Sequence, residues 1–358
     1  MNRGLKSHMT TLFDPVKIGE LELSNRIIMA PMTRCRAADN RIPNSLMAEY
    51  YAQRASAGMI ITEATAVTPM GVGYPDTPGI WSTEQAEAWK KITSAVHEKG
   101  GKIVLQLWHV GRISDPVYLD GKPSVAPSAI APEGHVSHIR PKKKYETPRA
   151  LELNEISEII ELYRNGAANA KLAGFDGVEI HGANGYLLDQ FLQDVSNHRT
   201  DIYGGSLENR ARLLLEVTDA VVSVWGAGRV GVHLAPKGDA HSMGDSNLKE
   251  TFTYVAKELG KRNIAFICTR DYVGDGHLGN EIKQTFGGSY IANEKFTKET
   301  AADFIANGKS DAVAFGTLFI SNPDLVKRFK ENLSLNELNS STIYANGALG
   351  YTDYPVHS

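Results

Sequence analysis

Short runs of apolar, largely β-branched residues recur along the chain, and the stretches between them carry apolar positions at helical spacing. Eight runs read as strands, over residues 25–32, 58–65, 102–109, 177–184, 229–236, 264–270, 287–293 and 310–317. Several are almost wholly apolar until they end in polar residues, as expected of a parallel sheet with helices on one face and a core on the other. Helices are predicted over 82–99, 154–173, 207–224, 247–261 and 297–307. Several of them start after a Ser, Asn or Thr cap and end near a glycine such as Gly100, Gly174, Gly226 or Gly308. Eight strands alternating with helices imply closure, so the fold class is α/β, a (β/α)8 TIM barrel rather than an open doubly wound sheet. No G-x-G-x-x-G follows the first strand, which argues against the open alternative.

One stretch breaks the rhythm. Residues 114–153, rich in Pro, Gly and Ser and carrying His135, His138, Arg140 and the run Lys142-Lys143-Lys144, fall between strand three and its helix. An excursion at that point forms a lid over the barrel mouth. Its basic run reads as a solvated loop, with attraction of a phosphate-bearing reductant as the alternative. The barrel is expected to occupy residues 10–358 as one domain. Residues 1–9 read as an unstructured extension or tag remnant, because Ser7-His8-Met9 looks like a cloning scar ahead of a natural start.

Composition narrows the function classes. A formal net charge of -3 and 42% apolar content give no bulk electrostatic reason to expect nucleic acid or an anionic membrane as partner. Cys35 and Cys268 are far apart and in no CxxC pattern, so neither a disulfide framework nor a cysteine metal site is suggested. There is no signal-like apolar core near the N-terminus and no apolar run of membrane-spanning length. A cytoplasmic protein acting on small molecules, as monomer or homodimer, is the expectation.

In such a barrel the reactive groups lie at the carboxyl ends of the strands. Thr33 and Arg34 follow strand one, Glu63 to Thr65 end strand two, Gln106, Trp108 and His109 end strand three, and His233 to Lys237 close strand five. Gly316-Thr317 ends strand eight beside Asn293, where barrels form phosphate sites from backbone amides. Taken singly, a strand-end Thr or Gln satisfies backbone groups, a lone His is as readily structural, and Trp108 is core. Agreement among several strand ends is what points to a site. The densest is His181-Gly-Ala-Asn184-Gly-Tyr186, directly after the apolar run Gly177-Val-Glu-Ile180. A His, an Asn and a Tyr at i, i+3 and i+5 set two hydrogen-bond donors and a phenolic acid beside one small site. Such groups hold a polarised oxygen while a proton goes to a neighbouring carbon.

These residues sit in longer stretches that resemble the Old Yellow Enzyme family of flavin-dependent ene-reductases. The matching stretches are Asn25-Arg-Ile-Ile-Met-Ala-Pro-Met-Thr-Arg34, Tyr51-Ala-Gln-Arg-Ala-Ser-Ala-Gly58, Leu105-Gln-Leu-Trp-His-Val-Gly-Arg112 and His181 to Phe191. Asn197 to Arg212, Asp311 to Gly316 and Gly350-Tyr-Thr-Asp-Tyr-Pro355 complete them, so that the resemblance runs from Leu12 to Pro355. Among the family's members the chain is most similar to the bacterial N-ethylmaleimide, nitrate-ester and morphinone reductases. The resemblance implies non-covalent FMN in the barrel mouth, reduced by NADPH or NADH and reoxidised by an activated alkene, with nitro compounds or nitrate esters as further acceptors. Carried over residue by residue, it implies that Pro31, Met32 and Ala64 pack against or hydrogen-bond the isoalloxazine, Thr33 touches its O4 edge and tunes its electron affinity, Gln106 bonds its pyrimidine edge and His181 also borders the cofactor. His181 and Asn184 would bind the substrate oxygen and Tyr186 would protonate the α-carbon, while Tyr74, Trp108 and Tyr351 would shape the pocket above the flavin.

Two departures from the family pattern concern the cofactor. His233, in Gly231-Val-His233-Leu-Ala-Pro236, stands where the family carries an Arg beside flavin N1 and O2. It would offset the reduced flavin's charge only when protonated, unless Lys237 reaches in, so a flavin potential that varies more steeply with pH is expected. Thr317 stands where the family has Arg or Lys for the FMN phosphate, and Asn293-Glu294-Lys295 replaces a Gly-rich turn. Glu294, Lys295, Gly316 and Thr317 would have to hold the phosphate through backbone amides and the Lys295 ammonium. A flavin-binding redox sensor is the competing reading, opposed by the joint presence of His181, Asn184 and Tyr186. A Schiff-base aldolase would need a buried lysine at a strand end inside the barrel, and the one lysine near the middle strands, Lys237, lies beyond Pro236. A metal-dependent hydrolase would need carboxylates beside His109, His181 and His233, and the sequence offers no such companion set, so no metal is expected.

Overall fold

The computed structural model describes residues 8–237 and 239–358. Eight parallel strands close into a barrel: β1 Ile27–Met29, β2 Met59–Ala66, β3 Ile103–Trp108, β4 Gly177–Gly182, β5 Val230–Leu234, β6 Phe266–Arg270, β7 Ser289–Asn293 and β8 Ala312–Phe315. They follow one another around the ring in chain order, and β8 pairs back onto β1 through Val313↔Ile27, Ala314↔Ile28 and Phe315↔Met29. Most are shorter than expected, because the polar residues at their ends leave the ladder to build the mouth.

Among the described residues ten α-helices form; short ones over Leu187–Leu192 and Thr317–Ser321 follow β4 and β8, and the other eight are α1 Ser45–Gln53, α2 Thr83–Glu98, α3 Leu153–Leu172, α4 Leu207–Trp225, α5 Leu248–Lys261, α6 Gly279–Phe286, α7 Lys298–Ala306 and α8 Leu325–Glu331. The five predicted helices are all present. Ser82, Ser206, Asn247 and Thr297 each cap one by accepting a backbone N–H three residues on. Helices α1, α6 and α8 were not anticipated; at nine, eight and seven residues they are too short to display a periodic stripe.

Every second residue of a barrel strand faces the axis. At the amino ends these residues are apolar: Ile28, Ile61, Val104, Phe266, Ile291 and Ala312 share one buried cluster. Ile18 and Leu21, from the antiparallel hairpin Val16–Ile18 and Leu21–Leu23, join that cluster and plug the barrel floor. Gly231 carries no side chain because the Phe266 ring fills its space; a Cβ there would lie 2.1 Å from the ring. Each of the larger buried side chains contributes roughly 1.5–3 kcal/mol of transfer free energy, so the lower barrel is a packed base. Further up the same inward rows the residues turn polar, as Gln106, His181, His233, Arg270 and Asn293. A second core, with Trp89, Tyr163, Leu214 and Phe252, seals strands to helices.

The excursion over residues 114–153 does cross the mouth. Tyr145 packs with Tyr74 and Tyr186 against the buried Trp108, the His138 ring lies 5.0 Å from that of Tyr344, and the Glu133 N–H donates to Ser242 Oγ at 2.9 Å. The basic run is not wholly a solvated loop: Lys143 Nζ sits 2.8 Å from the buried Asp115 carboxylate and so anchors the lid. Of the expected N-terminal extension, residues 1–7 lie outside the described residues, while His8 and Met9 are exposed. Among the described residues no helix is long and apolar enough to cross a membrane.

Candidate active site

A cavity of about 320 Å³ opens at the carboxyl ends of the strands, lined by Pro31, Met32, Thr33, Ala64, Gln106, Trp108, His181, Asn184, Tyr186, His233, Gly316 and Thr317 among others. The sequence had singled out all of these. His181 is buried, and its Nδ1 accepts the Ala183 N–H at 3.3 Å, which leaves the proton on Nε2. Burial, then the nearby His233, His241 and Arg270, push its pKa well below the ordinary value. His181 is therefore a neutral imidazole that donates from Nε2. Asn184 adopts a left-handed φ of 58° and Gly185 follows at 77°, a reversal that swings the next residue back over the cavity. The turn is clamped from below: Asp189 Oδ2 accepts the Gly185 N–H at 2.9 Å, and Gln190 Nε2 donates to the Gly185 carbonyl at 2.8 Å. Tyr186 lies with its ring 4.9 Å from that of His181 and its hydroxyl 2.7 Å from the Tyr74 hydroxyl. Burial raises the Tyr186 pKa above that of a free phenol, so it carries its proton at neutral pH. Trp108 stacks on Tyr74 and is fully buried, with an indole N–H that has no partner among the described residues.

Below this clamp sits an organising residue that sequence reasoning missed. Glu179 Oε1 accepts from Gln106 Nε2 at 2.7 Å and faces His233 Nδ1 at 3.2 Å, while its Oε2 is buried without a partner among the described residues. A carboxylate accepts only, so it turns the Gln106 amide oxygen and His233 Nε2 toward the cavity. The companion carboxylate judged absent from the sequence is thus present for His233. It was hidden in the run Gly177-Val-Glu-Ile180, where one charged residue two positions before His181 was the available signal. Cys268 completes a buried trio whose Glu179, His233 and Cys268 ligand-type atoms lie within 4.8 Å of one another. Burial holds the Cys268 thiol well above its ordinary pKa and so protonated. Lys237 does not reach the cavity: its ammonium donates to the Asp275 carbonyl at 2.8 Å and sits 3.6 Å over the Tyr272 ring.

A second cavity, of about 330 Å³, continues the first and shares Pro31, Met32, Arg270, Asn293, Gly316 and Thr317 with it. Glu294 and Lys295 line its far end, both at positive φ, and the Lys295 ammonium rests 4.4 Å over the Tyr272 ring. A turn at the end of a strand can offer backbone N–H groups to an anion.

The structure corrects one expected pocket residue. Tyr351 is fully buried away from the cavity, stacked 4.1 Å from Tyr50 and flanked by the Arg34 and Arg36 guanidiniums. Those two arginines, leaving β1, donate to the backbone carbonyls of Thr342, Ile343, Leu349 and Gly350 and pin the C-terminal segment across the mouth. As a result Tyr344 and Ile343 line the cavity in place of Tyr351. Arg34 and His109 are strand-end residues with structural work. The His109 Nδ1 accepts the Gly111 N–H at 3.0 Å, and burial lowers its pKa to about 3. Tyr74 lies outside the cavity lining but touches it through Tyr186. Arg270, the last residue of β6, lines both cavities and was also missed.

Comparison with known proteins agrees with this geometry. The chain is 45% identical to the Old Yellow Enzyme homologue from Zymomonas mobilis, with a TM-score of 0.94 over 97% of this chain and 99% of that one. It is 45% identical to morphinone reductase in complex with tetrahydroNAD, with a TM-score of 0.94 over 98% of each chain. 12-oxophytodienoate reductase 1 from Oryza sativa subsp. japonica is 43% identical over 96% of this chain and 92% of its own length. Residues 11–336 match the model of a flavoenzyme family. The chain belongs to the NADH:flavin oxidoreductase / NADH oxidase family.

Proposed function

We propose that this flavin-dependent NAD(P)H oxidoreductase reduces the C=C bond of small activated alkenes, α,β-unsaturated carbonyl compounds and maleimides, with non-covalent FMN as its cofactor. The observation that carries the reading is the convergence of a neutral His181 donor, the Asn184 amide and the protonated Tyr186 on one cavity. The two contiguous cavities and their donor set fit FMN: a polar floor of Gln106 and His233 set by Glu179, apolar walls, and a cationic, backbone-lined far end. Pro31, Met32, Thr33, Ala64, Gln106 and His233 would hold the ring system, and Glu294, Lys295, Gly316 and Thr317 the phosphate. Bound FMN supplies the hydride that the alkene's β-carbon accepts.

The chain's own residues do the remainder. His181 Nε2–H and the Asn184 amide bind the carbonyl oxygen, whose negative charge grows as the β-carbon is attacked. Fixed donors aimed at that oxygen stabilise the transition state more than the ground state. Tyr186 then gives its phenolic proton to the α-carbon, a suitable acid because its pKa is high and the enolate carbon is strongly basic. Trp108 and Tyr74 hold the Tyr186 ring. On this reading the protein works in the cytoplasm as a monomer or homodimer, without nucleic acid or membrane partners.

Anaerobic titration of the FMN-supplemented protein with NADPH and then 2-cyclohexenone, following flavin absorbance, tests the proposal. Bleaching by NADPH and recovery on adding the alkene are expected. Flavin that binds but does not cycle would favour a redox sensor, and absence of flavin binding would overturn the cofactor assignment.

A further inference from the structure

Among the described residues lining the main cavity, Arg270 is the one with a fixed positive charge, and none of the roles above uses it. Its Nη1 lies 3.2 Å from Asn184 Oδ1 and 3.2 Å from Asp239 Oδ1, and its Nε lies 3.4 Å from Glu294 Oε2. The guanidinium is thus tethered on two sides by carboxylates while its third contact is the carboxamide of Asn184. Half-burial of the side chain, 26% exposed, strengthens these contacts relative to open solvent.

We propose that Arg270 is a positioning residue that decides which end of the Asn184 amide faces the substrate. A carboxamide can present either its oxygen or its NH₂, and the two choices have opposite effects on a substrate oxygen: one repels it and the other binds it. A guanidinium has donors only, so the end of Asn184 beside Arg270 is the oxygen, and Nδ2 is turned toward the cavity. The backbone of Asn184 is fixed independently, since its carbonyl accepts from His241 Nδ1 at 2.6 Å. The main chain is therefore set by His241 and the side-chain flip by Arg270. The guanidinium also polarises the amide it binds, which makes Nδ2–H a stronger donor as charge develops on the substrate oxygen. This inference rests on the reading of Asn184 as an oxygen-binding residue.

A double-mutant cycle with Arg270→Ala, Asn184→Ala and the pair tests it on the FMN-loaded enzyme, using kcat/KM for 2-cyclohexenone at saturating NADPH. Asn184→Ala should lower kcat/KM by roughly a hundredfold, the usual effect of losing one oxyanion donor. Arg270→Ala should lower it by about tenfold, and the double variant should match Asn184→Ala alone to within about twofold. Arg270→Lys, which keeps a donor for Oδ1, should regain part of the loss, which a merely structural role would not give. Full additivity in the cycle would overturn the proposal, because Arg270 would then act without Asn184. So would an undiminished Arg270→Ala beside an impaired Asn184→Ala. An undiminished Asn184→Ala would overturn the oxygen clamp itself and this inference with it. Arg270→Met, which keeps the aliphatic stem and loses the donors, replaces Arg270→Ala in the cycle if the alanine variant does not fold.

Discussion

The two ends of the groove are built on different principles. At the substrate end each polar group is oriented by another: His181 by the Ala183 N–H, Asn184 by Arg270 and His241, Gly185 by Asp189 and Gln190, and Tyr186 by Tyr74. At the far end the chain turns through positive φ at Glu294 and Lys295, and a long cationic side chain rests on an aromatic ring. The difference follows from the charge each end must meet. A charge that appears on a small oxygen during reaction needs dipoles already in place. A phosphate carries its charge permanently and tolerates a flexible lysine and several weak donors.

That contrast can be broken by experiment. The largest effect is expected for His181→Ala combined with Asn184→Ala, which removes both oxygen donors: kcat/KM for 2-cyclohexenone should fall about a thousandfold or more. FMN affinity, measured by fluorescence titration, should move far less. Comparable losses in both would mean the two ends are not separate.

The next effect lies in stability against pH. Burial raises the Asp189 pKa from 3.8 to about 7, against the opposing hydrogen bonds from Gln193 and Gly185. A raised folded-state value means that the native state holds the proton more tightly than the unfolded chain. The associated stability is fully present below the unfolded pKa and is lost as pH rises toward 7. Glu63, raised from 4.5 to about 7 by burial, acts in the same direction on the far side of β2. Asp189→Asn should remove part of the decline, on the order of 2–4 kcal/mol between pH 4 and 7, read from denaturant melts at a series of pH values. An identical pH slope in the variant would show that Asp189 is ionised throughout.

Smaller changes are expected at the phosphate end. Lys295→Ala should weaken FMN binding by about tenfold and Thr317→Arg should strengthen it by a similar factor, each about 1–2 kcal/mol for a charge-assisted contact. Equilibrium dialysis of the apoprotein with FMN and with riboflavin separates the phosphate's share; equal shifts for both ligands would place these residues elsewhere. The smallest effect belongs to Tyr74→Phe. It leaves Tyr186 in place and removes one hydroxyl contact, so a two- to fivefold fall in kcat is the expected cost of about 0.5–1 kcal/mol.

The barrel was legible because its pattern is redundant: each apolar run ends in polar residues, and eight repetitions correct errors in any one. The cavity lining was legible for the same reason, since His181, Gln106, His233 and Thr317 all sit where a strand ends. What escaped lacked such a repeat. Glu179 lies inside an apolar run, and only the inward row it shares with His181 places it under the cavity. Arg270 ends β6 two positions beyond the inward-facing Cys268, a spacing that carries meaning only once the facing row is known. Tyr344 and Tyr351 are both aromatic residues in a loop without periodicity. Which of them meets the cavity is decided by Arg34 and Arg36, more than three hundred positions away in sequence.

The hairpin under the barrel bears on the order in which the molecule can be assembled. Ile18 and Leu21 share one buried cluster with Ala312 and Ala314, so the hairpin completes its packing only once the eighth strand has been made. Until then those apolar side chains, and the open edge of β1 that waits for β8, stay exposed. Ring closure is therefore a long-range, entropically costly step that nearly the whole chain must precede. A chain would be most prone to aggregate while β8 is still missing, and β8 is where a stall or a truncation would do the greatest harm.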